Sequence, residues 1–190
     1  MIGIVTYGKA PDLTDDDRPL IAELRQLGIE SRPVIWDDPA VRWSEFRTLV
    51  LRSPWNYHLK PADFTRWLGA IESAGVTLWN PFSVVRWNMH KRYLRELAGR
   101  GVPIADTEWI ARAESPPLSQ VLARRGWTDA IIKPAISASA TDTWRTTTDI
   151  AADGARYRAL VERADVLVQR TVPEVASAGE WSLMFIDSRY

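Results

Sequence analysis

Apolar positions fall into short runs separated by segments of helical period. Ile2–Thr6 (IGIVT) is nearly unbroken in its apolar character, the pattern of a buried strand. Ser31–Trp36, Thr48–Arg52 (TLVLR) and Val76–Trp79 repeat it. Between the first two, Thr14, the triplet Asp15-Asp16-Asp17 and Pro19 mark a helix start whose carboxylates complement the helix dipole. That helix is expected to run to Leu27 and stop at Gly28. Pro61 opens another, with Phe64, Trp67, Leu68 and Ile71 at helical spacing as its core face and Gly75 as its end. Strand and helix alternating in this way predict an α/β fold with a parallel, Rossmann-like sheet.

Asn80-Pro81 punctuates the chain and closes a first lobe, 1–81. A connecting helix and strand occupy 82–113: the helix over Asn88–Arg100 carries Lys91, Arg92 and Arg95 and stops at Gly101. Val102-Pro103-Ile104 and Thr107–Ile110 read as extended. An α+β lobe follows over 114–172. In it Ser115 caps a helix from Pro116-Pro117 to near Gly126. Ala130–Ile132 is a strand delivering Lys133, with Pro134 stopping the ladder. Trp144–Thr148 is the return strand. Asp149 or Asp153 starts a helix that buries Tyr157, Leu160 and Val161. Val166–Gln169 is a strand leading into Arg170–Glu174. Residues 173–190 begin a further lobe, with Gly179-Glu180 before a strand Trp181–Ile186 and a turn at Asp187-Ser188.

Composition narrows the function classes. With 24 basic and 24 acidic residues the net charge is zero, which argues against nucleic acid or an anionic membrane as the main partner. The chain has no cysteine, so thiol chemistry is excluded and a reducing, cytoplasmic setting fits. His58 and His90 are the only histidines, too few for a His-rich metal site or a His-based triad. Neither a signal peptide nor a membrane-length apolar run is evident. The ten tryptophans read as packing, Trp55 in its polar loop excepted. Without GxGxxG after the first strand, no dinucleotide site is indicated.

Two stretches carry chemistry. Lys133 at a strand end, followed by the small-residue loop Ser137-Ala138-Ser139-Ala140-Thr141, suits phosphate: an ammonium beside a loop of N–H and hydroxyl donors. The alternative is a surface hairpin with a solvated lysine. The loop Arg52-Ser53-Pro54-Trp55-Asn56-Tyr57-His58 lies where α/β sheets bind ligands, beyond a strand's carboxyl end. Arg52, Ser53, Trp55 and Asn56 there could bind a small carboxylate substrate bidentately and between aromatic walls. Alternatively, Arg52 pairs with a nearby acid and Trp55 packs.

Taken in order, WNMHKRYLRELAGRGVPIADT, IIKPAISASA, VLVQRTVPEV and GEWSLMFID resemble the ATP-grasp enzymes over essentially the whole chain. VLRSPWNYHLKP, NPFSVVRWNMHKRYL and VQRTVPEV with GEWSL are most similar to the group that includes the D-cycloserine-forming (O-ureido-serine cyclo-) ligase. The resemblance implies a Rossmann-like pre-ATP-grasp lobe over 1–81, a lid lobe over 114–172 and the beginning of a core lobe over 173–190. It implies that Lys91 and Lys133 bind the ATP phosphates under a cover loop containing Ser137 and Ser139. Gln169, Arg170, Thr171 and Val172 would line the adenine pocket and Glu180 would hold the ribose, while Arg52 and its loop take the acid substrate. ATP would phosphorylate a carboxylate, and an amine would attack the acyl phosphate, with no protein nucleophile. The cover loop has serine and alanine where many relatives use glycine, which costs backbone freedom.

The Mg²⁺ ligands of the superfamily lie on later strands, so no metal ligand is assigned here. The 190 residues are accordingly expected to lack ligase activity alone or to be completed by a partner, with homo-oligomer association through an open sheet edge. A non-catalytic nucleotide-binding or dimerisation module is the competing reading. A Rossmann-like lobe binding another small acid is the third.

Overall fold

In the computed structural model, the described residues are 1–114, 116–147, 150–181, 183, 185 and 189, the side chain of 150 excepted. They group into two units, one of Met1–Gly99 with Ala135–Thr141 and one of Arg100–Pro134 with Asp142–Tyr190.

The first unit is built on β1 (Ile2–Thr6), β2 (Ser31–Ile35), β3 (Thr48–Leu51) and β4 (Thr77–Trp79). They form the expected parallel sheet, in the order β2-β1-β3-β4. Ile2 lies opposite both Ser31 and Thr48, and Thr48 opposite Thr77. Parallel strands need crossovers, supplied by α1 (Arg18–Gln26) and α2 (Pro61–Ser73). The helical spacing read from α2 holds: Phe64, Trp67, Leu68 and Ile71 are its buried residues. They pack with Val5, Val34 and Leu49, each such side chain contributing about 1.5–3 kcal/mol by leaving water. Gly3 has no room for more, since a Cβ there would stand 2.6 Å from Leu49 Cδ2.

Several local expectations are corrected. The helix expected from Thr14 begins at Arg18, with no acidic residue in its first turn. Thr14 instead closes a turn with its carbonyl oxygen, accepting from the Asp17 and Arg18 N–H groups. Asp17 does occupy the N-cap position of α1, but it is buried and its side chain makes no capping bond. The single helix expected over Asn88–Arg100 is two, α3 (Phe82–Met89) and α4 (Tyr93–Gly99), broken at residues 90–92. The break frees the Lys91 N–H to bond the Ala135 carbonyl at 2.8 Å. α3 turns Val85 and Met89 into the first core.

In the second unit, β5 (Thr107–Ile110), β6 (Ala130–Pro134), β7 (Trp144–Thr146) and β8 (Val166–Arg170) form an antiparallel sheet ordered β5-β8-β6-β7. Val102-Pro103-Ile104 forms no strand. Pro134 does not stop the ladder: it is opposite Val166, past the last β7 rung at Ile132, where a missing donor costs little. α5 (Leu118–Arg125) ends at Gly126, whose φ of +66° suits glycine. With α6 (Ile150–Val161) it covers one face of the sheet, where Ile132, Val166 and Val168 meet Val121, Leu122, Tyr157, Leu160 and Val161. Arg170 closes β8, and the segment after it coils into α7 (Pro173–Ala178), which the sequence pattern did not announce.

Ser115 as a cap, Thr148 and Asp149 at element ends, the turn at Asp187-Ser188 and half of the strand expected at Trp181–Ile186 lie outside the described residues. No helix among the described residues is long and apolar enough to cross a membrane.

Candidate functional site

Alternation along β6 and β8 sorts their side chains. Ile132 and Val168 pair in register and face the core, whereas Lys133, opposite Leu167, and Gln169, opposite Ile131 and Thr107, belong to the other face. There Lys133 Nζ donates to Gln169 Oε1 at 2.8 Å, and Gln169 Nε2 donates to Thr107 Oγ1 at 2.9 Å. The Thr107 hydroxyl donates its own hydrogen bond to the Ala105 carbonyl at 2.8 Å. The chain of bonds fixes the amide orientation, leaving its oxygen for the ammonium. Burial lowers the pKa of Lys133, and the charge of Glu180, exposed just beyond α7, pulls the other way.

The four residues expected to line one adenine pocket are divided. Gln169 stands with Lys133, whereas Arg170 and Thr171 border a cavity of about 600 Å³ together with Asp106, Arg125, Trp127 and Arg145. Arg170 lies 3.9 Å from Asp106, and the buried Thr171 Oγ1 has no partner among the described residues. Val172, 39% exposed, is extended and precedes α7.

In the first unit Lys91 Nζ donates to the Ser137 carbonyl at 2.9 Å and to its hydroxyl at 2.7 Å. Ser139 is exposed, in the left-handed region at φ +50°, as is Ala140 at +55°. The loop is further tied by Thr141, whose Oγ1 lies 3.1 Å from His58 Nε2.

The loop after β3 is organised by a residue that the sequence reading gave another role. Asp17, 4% exposed, accepts from Arg52 Nε at 2.7 Å, Arg52 Nη2 at 2.6 Å and Ser53 Oγ at 2.6 Å. Burial alone would raise its carboxyl, but the bonds from Ser53 and Arg52 outweigh it and hold the pKa below the ordinary value. The guanidinium is thus oriented by a buried acid while remaining 41% exposed. Trp55 lies against Tyr7, ring centroids 6.0 Å apart, and keeps nearly half its surface open. Asn56 is spoken for: Oδ1 accepts from Trp36 Nε1 at 2.6 Å and Nδ2 donates to Asp37 at 3.1 Å.

Sequence reasoning missed Asp17, Thr107 and His58 as members of these clusters. The available signal for the first was an Arg-Ser pair at the end of a buried strand, where a guanidinium needs an acid. Among the described residues no group of three or more His, Asp or Glu side chains is placed to hold a metal ion.

Residues 2–80 match the family model described as the D-cycloserine synthetase DcsG, N-terminal domain. The whole chain is 31% identical over 196 residues to the cycloserine biosynthesis protein DcsG of Streptomyces lavendulae, covering 65% of that protein. A crystal structure of D-cycloserine synthetase DcsG superposes with a TM-score of 0.86 at 27% identity, over 94% of this chain and 61% of that one. A RimK-domain ATP-grasp protein from Sphaerobacter thermophilus, at 18% identity and a TM-score of 0.68, shares the fold over 91% of this chain and 65% of its own. The chain therefore spans less than two thirds of the length of these relatives.

Proposed function

The chain belongs to the ATP-grasp superfamily, in its D-cycloserine-ligase-like family, and on that premise we propose that it carries nucleotide- and carboxylate-binding parts of an ATP-dependent carboxylate–amine ligase. The substrate is a small amino-acid-like carboxylate. One of its oxygens attacks the γ-phosphorus of ATP and ADP departs; an amine then attacks the acyl carbon and phosphate departs.

The observation that carries this reading is the half-buried Lys133, oriented by Gln169 and Thr107. A desolvated ammonium hydrogen-bonded to a neutral amide gains more from a phosphate oxygen than a solvated lysine would. Lys91 adds a second ammonium, and Ser137 and Ser139 the donors of the covering loop. Gln169, with the backbone of Arg170, Thr171 and Val172, reads the adenine edge, and Glu180 accepts from the ribose hydroxyls. Arg52, held by Asp17, offers its exposed edge to the substrate carboxylate, beside Ser53, Trp55 and Asn56. Mg²⁺ would supply charge neutralisation to phosphoryl transfer when bound, but among the described residues no group of three or more His, Asp or Glu side chains is placed to hold it.

Thermal stabilisation by ATP tests the proposal. Binding to the folded state at a hundredfold excess over Kd stabilises by about 2.7 kcal/mol. The expected result is a shift in the native chain that disappears in Lys133→Ala; equal shifts in both, or none in either, would overturn it.

A further inference from the structure

A second cavity in the first unit is used by none of the roles above. It holds about 140 Å³ and lies at the carboxyl ends of β3 and β4, bordered by Leu51, Tyr57, Asn80, Val85, Asn88 and Met89. Three elements create it. Leu51 is the last residue of β3, and Asn80 follows the last residue of β4. α3 lays Val84, Val85, Asn88 and Met89 along one side, the i, i+3, i+4 spacing of a single helix face.

Its chemistry is selective. No charged residue lines the cavity, in a chain that is 25% charged. Phe64, Val85 and Met89 are buried and make an apolar floor, whereas Asn80 and Asn88 are exposed at the rim. An apolar body with a few convergent polar groups is the anatomy of a small-molecule site, and the ends of parallel strands are where such sites form. The volume admits a group the size of about four or five waters. A carboxylate or ammonium on the apolar floor would lose hydration at a cost, and one at the rim would meet two neutral amides and no opposite charge among the lining residues.

We propose that this cavity receives the uncharged side chain of a small substrate, its carbon atoms against the apolar floor and its polar end at the Asn80 and Asn88 amides. The inference rests on the reading of the first unit as the carboxylate-binding lobe, and it makes the cavity the element that rejects substrates with charged side chains.

Asparagine and aspartate, nearly identical in shape and different in charge, are suitable probes in racemic form. The readout is the side-chain amide NMR signals of Asn80 and Asn88 in the whole chain, titrated with each. Asparagine is expected to shift both signals saturably and aspartate to leave them in place. Val84→Phe places a larger side chain at the rim from a position 45% exposed, so the fold tolerates it, and should abolish the response. Asn88→Leu should weaken it by about tenfold, the worth of one good hydrogen bond. An equal response to aspartate, a full response in Val84→Phe, or no saturable response to asparagine overturns the proposal. ATP stabilisation measured on the same samples separates the two claims. If it persists while the amides stay silent, the cavity assignment alone fails. If it is absent while asparagine binds, the ligase reading fails and the cavity stands.

Discussion

The ammonium of Lys91 donates to both the carbonyl and the hydroxyl oxygen of Ser137, 46 residues further along the chain. A lysine that the family resemblance gives to phosphate thus holds, in this structure, the loop that would cover the phosphate.

Lys91→Met keeps the aliphatic stem and removes the donors. The segment 135–141 should then exchange its amide hydrogens faster while the β1–β4 sheet keeps its protection, at a cost of about 1 kcal/mol in global stability. Hydrogen exchange resolved by residue checks this; unchanged exchange in 135–141 would show that the loop is held by other contacts.

Ala140 sits at φ +55°, a conformation that costs an alanine about 1–2 kcal/mol and a glycine almost nothing. Ala140→Gly should therefore stabilise the chain. Because glycine also loses more backbone entropy on folding, the net gain is about 0.5 kcal/mol. Denaturant midpoints of the two proteins measure it, and a loss of stability would contradict the assignment of left-handed strain at this residue.

Asp17 titrates below its ordinary value of 3.8 because Ser53 and Arg52 bond the ionised form more strongly than burial opposes it. Between the two values the unfolded chain binds more protons than the folded one. The contribution of Asp17 is therefore whole above about pH 4 and drains away as the pH falls through the folded value. Asp17→Asn should cost about 2 kcal/mol at neutral pH, and the gap to the native chain should narrow on acidification. Urea titrations at stepped pH follow it.

Gln169→Leu removes the acceptor of Lys133 and the donor to Thr107 together. The buried ammonium then has less to favour it, so its pKa falls further than burial already takes it. The expected cost is about 1–2 kcal/mol at neutral pH, recovered as the pH rises through the lowered pKa, where the neutral amine is buried more cheaply. A penalty independent of pH would point to packing alone.

Much of the architecture is legible in local pattern. Ile2–Thr6 could only be a strand buried on both faces, and Phe64, Trp67, Leu68 and Ile71 only one face of a helix. Tyr157, Leu160 and Val161 likewise declared the buried side of α6 in advance. Where the expectation failed, local preference met a competing partner. The triplet Asp15-Asp16-Asp17 has the composition of a helix start, yet the helix begins only at Arg18, and Asp17 before it gives its carboxylate to Arg52 and Ser53 instead of capping. The helix through His90 breaks where the Lys91 N–H bonds Ala135 instead of continuing the helical ladder.

By itself, then, the sequence determined most of the strands, the core faces of α2 and α6, and the parallel character of the first sheet. Those properties follow from side-chain volume, polarity and spacing over a few residues. Only the tertiary structure decided that Asp17 orients Arg52, that Ser137 occupies Lys91, that Gln169 bridges Lys133 and Thr107, and that Asn80 and Asn88 rim one cavity. Each of those relations depends on how separate elements pack against one another, and no spacing along the chain encodes such a distance.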